Sequence, residues 1–344
     1  MGRSTQSGLG VTQMAQTQTP GPQKAQKAQI ILGLVLTLLV PVSSFAENRW
    51  AVIISGASGG EKYAEQMATW RNDLRAALVG RYQFKPEFVK MFVDETATSG
   101  DKGSAENVKK FFADLKKTSA KDDFVFIVLI GHGTYDGNVA KFNLVGPDMT
   151  AKDWTDLVAG IQGRVALVNT TEASFPFLES LTAKGRVVIT ATDSPAQKYA
   201  TVFPEYFVKA MKEASTDLDK NGRTSIFEVF TAASAAVKQH YEQRGQLTTE
   251  RALLDDNGDG KGREATAEGP DGGIARIAYL DSEVVAESAN PELAALIRRR
   301  RALEQQAEEH KELRGVMPEA EWNSTFEKLM LELAQVSAEI RKKS

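Results

Sequence analysis

The sequence predicts an α/β fold, a three-layer αβα sandwich with a mainly parallel sheet, followed by a C-terminal α-helical hairpin. Short runs rich in β-branched and aromatic residues alternate with helical stretches along most of the chain. Strands that alternate with helices favour a parallel sheet covered on both faces. The predicted strands cover residues 50–54, 87–93, 124–130, 164–170 and 186–192, and the clearest helices cover residues 61–78, 105–117 and 153–159.

The hairpin is predicted from a change of pattern at Pro291, and residues 286–344 are assigned to it. Six apolar residues recur every three or four positions, which is a heptad seam. They are Trp322, Phe326, Leu329, Leu333, Val336 and Ile340. A partner helix is predicted from Pro291 to about Leu313. Such a hairpin serves as a scaffold or as an arm for self-association.

The N-terminal residues 1–46 have the pattern of a secretory signal peptide. Two lysines precede an apolar run from Ile30 to Val42, and the small-x-small triplet at residues 44–46 follows. A run of this length is too short for a helix that crosses a hydrocarbon core of ~30 Å. We therefore expect cleavage after Ala46 and an exported, periplasmic or secreted protein without a stable membrane span. An uncleaved anchor is the alternative, and Met14 is an alternative start.

The composition of the chain excludes or disfavours several classes of function. The formal net charge of −3 argues against a nucleic-acid partner. The chain contains no cysteine, which excludes disulfides, thiolate metal sites and thiol catalysis. The glycine-rich stretch after the first predicted strand lacks the G-x-G-x-x-G spacing of a dinucleotide site, and no organic cofactor is expected.

One of the three histidines occupies a position typical of an active site. His132 follows a predicted buried strand and lies between two glycines, whereas His240 and His310 are predicted on the surfaces of helices. In parallel sheets, active sites form outside the carboxyl ends of the strands, and an imidazole suits general base catalysis near neutral pH. A loop histidine bonded to a backbone carbonyl is the simpler alternative.

The next long strand ends in Glu172-Ala173-Ser174. The two strand ends together resemble those of legumain-type peptidases and caspases, in which a strand ending in His-Gly precedes one ending in Glu-Ala-Cys or Gln-Ala-Cys. From about residue 50 to residue 280, the order of the predicted elements resembles that of bacterial legumain-like proteins. Residues 47–285 are therefore assigned to a legumain/caspase-like domain. The resemblance implies that His132 is the catalytic histidine, that Gly133 helps to bind the oxyanion, and that Ser174 stands in place of the nucleophilic cysteine.

The same resemblance implies a cleft that holds a peptide or protein ligand. The predicted strand that ends at Thr192 and Asp193 is similar to the family strand that shapes the substrate pocket, and Glu172 borders that pocket. The family pattern places an arginine after the tyrosine of the first helix, but Ala64 follows Tyr63 here. Asparaginyl specificity is therefore not expected.

Catalytic activity stays open at this point. A serine hydroxyl is far less acidic than a thiol and needs a well-aligned base, usually one oriented by a third group. No carboxylate is assigned to orient His132; Asp136 is merely near in sequence. The chain is thus either a catalytically impaired peptidase homologue that acts as a binding protein, or an active hydrolase with a Ser174–His132 dyad.

A third function rests on Gly56-Ala57-Ser58-Gly59-Gly60, which matches the G-x-S-x-G nucleophile elbow of α/β-hydrolases. This serine would make the protein an esterase. The elbow normally follows several strands, however, and only one strand is predicted before Ser58. A glycine-rich turn between a strand and a helix is the simpler interpretation.

Residues 217–228 match the twelve-position EF-hand loop, with glycine at position 6 and glutamate at position 12. The sequence therefore predicts a Ca²⁺ site, or alternatively an acidic loop that caps the following helix. The candidate ligands are Asp217, Asp219, Asn221, Arg223 through its carbonyl, Ser225 and Glu228. A second stretch, residues 255–260, copies only the first half of such a loop and reads as a metal site or as a solvent-facing turn.

Overall fold

The computed structural model describes residues 48–94, 100–197, 199–220, 222–281, 290–312, 314 and 318–343. The predicted signal peptide and Asn221 lie outside these residues. No helix within the described ranges has the length and apolar character needed to span a membrane.

The main sheet has seven strands in the order β10-β9-β8-β4-β1-β2-β3. All neighbouring strands are parallel except β10, which pairs antiparallel with β9. The strands are β1 Arg49–Ser55, β2 Val89–Val93, β3 Asp101–Lys102, β4 Phe124–Ile130, β8 Arg164–Asn169, β9 Val187–Thr190 and β10 Leu253–Asp255. A second, antiparallel sheet contains β5 Gly133–Tyr135, β6 Ala140–Phe142 and β7 Met149–Thr150.

Helices lie on both faces of the main sheet, which confirms the predicted fold class. They are α1 Glu61–Ala76, α2 Ala105–Thr118, α3 Ala151–Val158, α4 Phe175–Leu181, α5 Phe203–Lys212, α6 Ile226–Gln243 and α7 Gly273–Ile277. Side chains alternate along each strand, so Ala51 and Ile53 of β1 pack with α1, α5 and α6. Val52 and Ile54 face the opposite way and pack with α2, α3 and α4. All seven residues of the central strand β4 are buried.

The C-terminal hairpin contains α8, Pro291–Glu312, and α9, Glu319–Lys343. Its seam is occupied within the chain, because Leu293, Ile297 and Leu303 of α8 pack against Val336 and Ile340 of α9. The prediction that His310 lies on a helix surface is wrong. Its side chain is buried, its ring stacks on Trp322 and Phe326, and its Nε2 lies 2.9 Å from the carbonyl oxygen of Trp322.

Candidate functional site

The candidate site lies at the carboxyl edge of the sheet, where β4 and β8 end side by side. The two strands are parallel neighbours, with Leu129 opposite Asn169. The chain after β4 approaches the chain after β8 so closely that a Cβ atom on Gly133 would lie 2.7 Å from Thr171 Oγ1 and 3.0 Å from Ala173 Cβ. Position 133 therefore requires glycine, which lets the two strand ends meet.

His132 is paired with a carboxylate. Its Nδ1 lies 3.2 Å from Glu172 Oε1, and the imidazole packs edge to face with the ring of Tyr63 at a centroid distance of 4.7 Å. The hydrogen bond to Glu172 raises the pKa of His132, which burial lowers in part; the charge of Glu172 and the backbone of Ser58 raise the pKa further. The site therefore favours the imidazolium form. Glu172 is itself buried, and its Oε2 has no hydrogen-bond partner among the residues that the structure describes.

The Ser174 hydroxyl is hydrogen-bonded to Thr192, just after β9, instead of to His132. The Ser174 side chain is 0% exposed. Its hydroxyl lies 3.0 Å from Thr192 Oγ1 and accepts the Thr192 backbone N–H at 3.2 Å. The Thr192 hydroxyl also donates to the carbonyl oxygen of Glu172 at 3.3 Å. Among the described residues, Ser174 makes no hydrogen bond to His132. Its hydroxyl ties the turn after β8 to the end of β9.

The structure thus brings His132, Gly133, Glu172, Ser174 and Thr192 to one edge of the sheet but pairs them differently from the expectation. The carboxylate that the sequence could not assign to His132 is Glu172, two residues before the serine. The position of Glu172 in the Glu172-Ala173-Ser174 motif marked it as a site residue, but the sequence predicted that it borders the substrate pocket.

Two other acidic residues, Asp136 and Asp193, have partners other than His132. Asp136 is exposed and accepts the backbone N–H groups of Asn138 and Val139 in its own turn. It therefore does not orient His132. Asp193, expected to border the substrate pocket, lies 3.6 Å from Arg251.

The glycine-rich turn at residues 56–60 lies beside His132. A Cβ atom on Gly59 would lie 3.9 Å from His132 Cδ2, and the backbone of Ser58 helps to raise the pKa of His132. The nucleophile-elbow interpretation of Ser58 stays a prediction.

The EF-hand-like loop gathers three carboxylates. One oxygen each of Asp217, Asp219 and Glu228 lie within 4.8 Å of one another, and Gly222 has φ +83° at the position of the sharp turn. Glu228 also caps α6: its Oε2 accepts the Ser225 backbone N–H at 2.7 Å, and its Oε1 accepts the N–H of Leu218 at 2.8 Å. The loop is therefore a helix cap and, at the same time, a close cluster of like charges.

The second acidic stretch, residues 255–260, is buried at its first two carboxylates and exposed at Asp259. Asp255 accepts the backbone N–H groups of Gly258 and Gly260, and Asp256 accepts those of Gly272 and Ala275. Both carboxylates are buried. Their oxygens thus stabilise the turn and the start of α7.

No protein-family model matches the chain, and no curated protein matches it. The crystal structure of the Drosophila initiator caspase Dronc is similar to it, with a TM-score of 0.40 and 14% sequence identity, over 63% of this chain and 82% of that chain.

Proposed function

We propose that this chain is an exported legumain/caspase-type peptidase homologue that binds a peptide or protein ligand at the carboxyl edge of the sheet and does not cleave it with Ser174. The observation that carries the proposal is the state of the Ser174 hydroxyl. It is fully buried and bonded to Thr192, while Glu172 occupies the Nδ1 side of His132. A serine needs a base in contact to become a nucleophile.

The same edge offers groups that suit a polypeptide ligand. Glu172 Oε2 is a buried acceptor without a partner in the described part of the chain, and such groups in folded proteins call for a specific explanation. A ligand N–H would satisfy it once the side chain moves to expose this oxygen. The side chain of His132 is 20% exposed and that of Tyr63 is 37% exposed beside it. Together His132 and Tyr63 present an imidazole and an aromatic ring to one segment of peptide.

We expect native protein and Ser174→Ala to bind fluorescein-labelled casein fragments with the same affinity, and neither to hydrolyse them. Fluorescence anisotropy measures binding, and chromatography of the fragments detects cleavage. Ser174→Ala should lower the free energy of unfolding by about 1–3 kcal/mol, because it leaves the buried Thr192 N–H without its acceptor. Cleavage by native protein that disappears in Ser174→Ala would instead establish the Ser174–His132 dyad.

A second function, Ca²⁺ binding, is favoured by the three converging carboxylates of the EF-hand-like loop. Oxygen ligands at this spacing suit Ca²⁺, and a bound cation would offset the repulsion between Asp217, Asp219 and Glu228. We propose that the loop binds Ca²⁺ through these residues, with Asn221, Ser225 and the carbonyl of Arg223 as further ligands.

Saturating Ca²⁺ is expected to raise the melting temperature, because a ligand bound only by the native state stabilises it by mass action. Asp219→Asn should remove most of this increase. It leaves intact the Ser225–Glu228 capping box, which a Glu228 variant would destroy. Asp122→Asn, outside the loop, is the control and should keep the full increase. An unchanged melting temperature in saturating Ca²⁺ would leave the loop as a helix cap only.

A further inference from the structure

The loop between β9 and α5, described at residues 191–197 and 199–202, is held at its far end by one buried carboxylate. Glu250 is 1% exposed. Its carboxylate accepts the N–H of Val202 at 2.9 Å and that of Phe203 at 3.3 Å, and the hydroxyl of Tyr241 donates to it at 2.7 Å. Three donors on one buried carboxylate fix the point where the loop enters α5.

The near end of the loop is held by Ser174 of the proposed cleft and by Arg251, which follows Glu250 in the chain. Thr192 is bonded to Ser174, and Arg251 lies 3.6 Å from Asp193. This arrangement follows from strand pairing, because Leu253 of β10 lies opposite Thr190 of β9 in an antiparallel ladder. The chain before β10 therefore runs back along the start of the loop.

Between these two ends the loop presents Tyr199, whose side chain is 82% exposed. The loop starts next to Thr192, which is hydrogen-bonded to Ser174. It comes back to the end of β8 at Thr201, whose hydroxyl donates to the carbonyl of Thr170 at 2.6 Å. It thus forms one side of the edge that holds His132 and Glu172.

We infer that Glu250 is a positioning residue for ligand binding: it holds the β9–α5 loop as a wall of the cleft, with Tyr199 as the side chain that meets the bound peptide. This rests on the proposed function. Loops fixed on a rigid scaffold are common sites of recognition, and an exposed tyrosine supplies contact area at a low cost in conformational entropy.

The test uses the absence of native cysteine. A nitroxide on Tyr199→Cys reports the mobility of the loop, and unlabelled casein fragments serve as the ligand probe. We expect the fragments to immobilise the nitroxide. In protein that keeps Tyr199, Glu250→Gln should weaken binding of fluorescein-labelled fragments roughly tenfold. The NH₂ group of the new glutamine must face a backbone N–H that needs an acceptor. In the labelled protein the same substitution should increase nitroxide mobility.

Glu205→Gln is the matched control. It removes an exposed carboxylate from the first turn of α5, the helix that the loop enters, and should change neither fragment binding nor nitroxide mobility. Arg251→Gln tests the loop without touching a buried group, and it should increase nitroxide mobility while the melting temperature stays unchanged. Fragments that bind without affecting the nitroxide, or equally well to Glu250→Gln, would overturn the inference and leave the proposed function intact. No binding to native protein would overturn both.

Discussion

Ser174→Cys is expected to give a protein whose only thiol is hardly alkylated and which still cleaves no peptide. The side chain at this position is fully buried and lies against Thr192. A thiol there reacts only when the structure opens locally. An opening free energy of about 4 kcal/mol would slow alkylation about a thousandfold.

The chain has no native cysteine, so the introduced thiol can be followed alone. Iodoacetamide labelling is measured by mass spectrometry, with Tyr199→Cys as the control for an exposed thiol, since Tyr199 is 82% exposed. Fast labelling of Ser174→Cys, together with new peptidase activity that His132→Ala abolishes, would contradict the proposal. It would mean that the site needs only the family's nucleophile to work, since an imidazole contributes about 10²–10⁴-fold as an acid–base group.

The sequence predicts the fold well where local pattern decides it. The central strand β4 is one unbroken apolar run, and all of it is buried. The seam of the hairpin follows from its heptad spacing, and Val336 and Ile340 pack as that spacing implies. The rule that sites form at the carboxyl ends of parallel strands also placed His132 and Ser174 at the same edge, because β4 and β8 became neighbours.

The pairing of side chains at that edge could not be read from the sequence. The hydrogen bond between Ser174 and Thr192 joins residues 18 positions apart, which lie in the turns after two different strands. The Glu172–His132 contact spans 40 positions. Both depend on rotamers and on the path of two turns, which have no periodic signature. The burial of Asp255 and His310 was missed for the same reason, since Thr182, which donates to Asp255, and Trp322, which stacks on His310, come from other segments.

The pair formed by His132 and Glu172 should make the stability of the protein depend on pH. Glu172 raises the pKa of His132 above its ordinary value of 6.5. A raised histidine pKa contributes stability that is fully present below about pH 6.5 and is lost as the pH rises through the folded-state pKa. Glu172→Gln should therefore destabilise the protein most at acidic pH, where the imidazolium would lose its buried partner.

At pH 5.5 the loss in Glu172→Gln is expected to be about 3 kcal/mol, the usual effect of removing one partner of a buried ion pair. By pH 9 the loss should shrink towards zero, because a neutral imidazole can still donate a hydrogen bond to the glutamine oxygen. Denaturant unfolding from pH 5.5 to 9 measures the difference, and the ring resonance of His132 should show a lower pKa in the variant. Asp136→Asn, an exposed carboxylate outside this pair, should keep the native profile. Parallel unfolding profiles for native protein and Glu172→Gln would show that Glu172 does not hold the imidazolium.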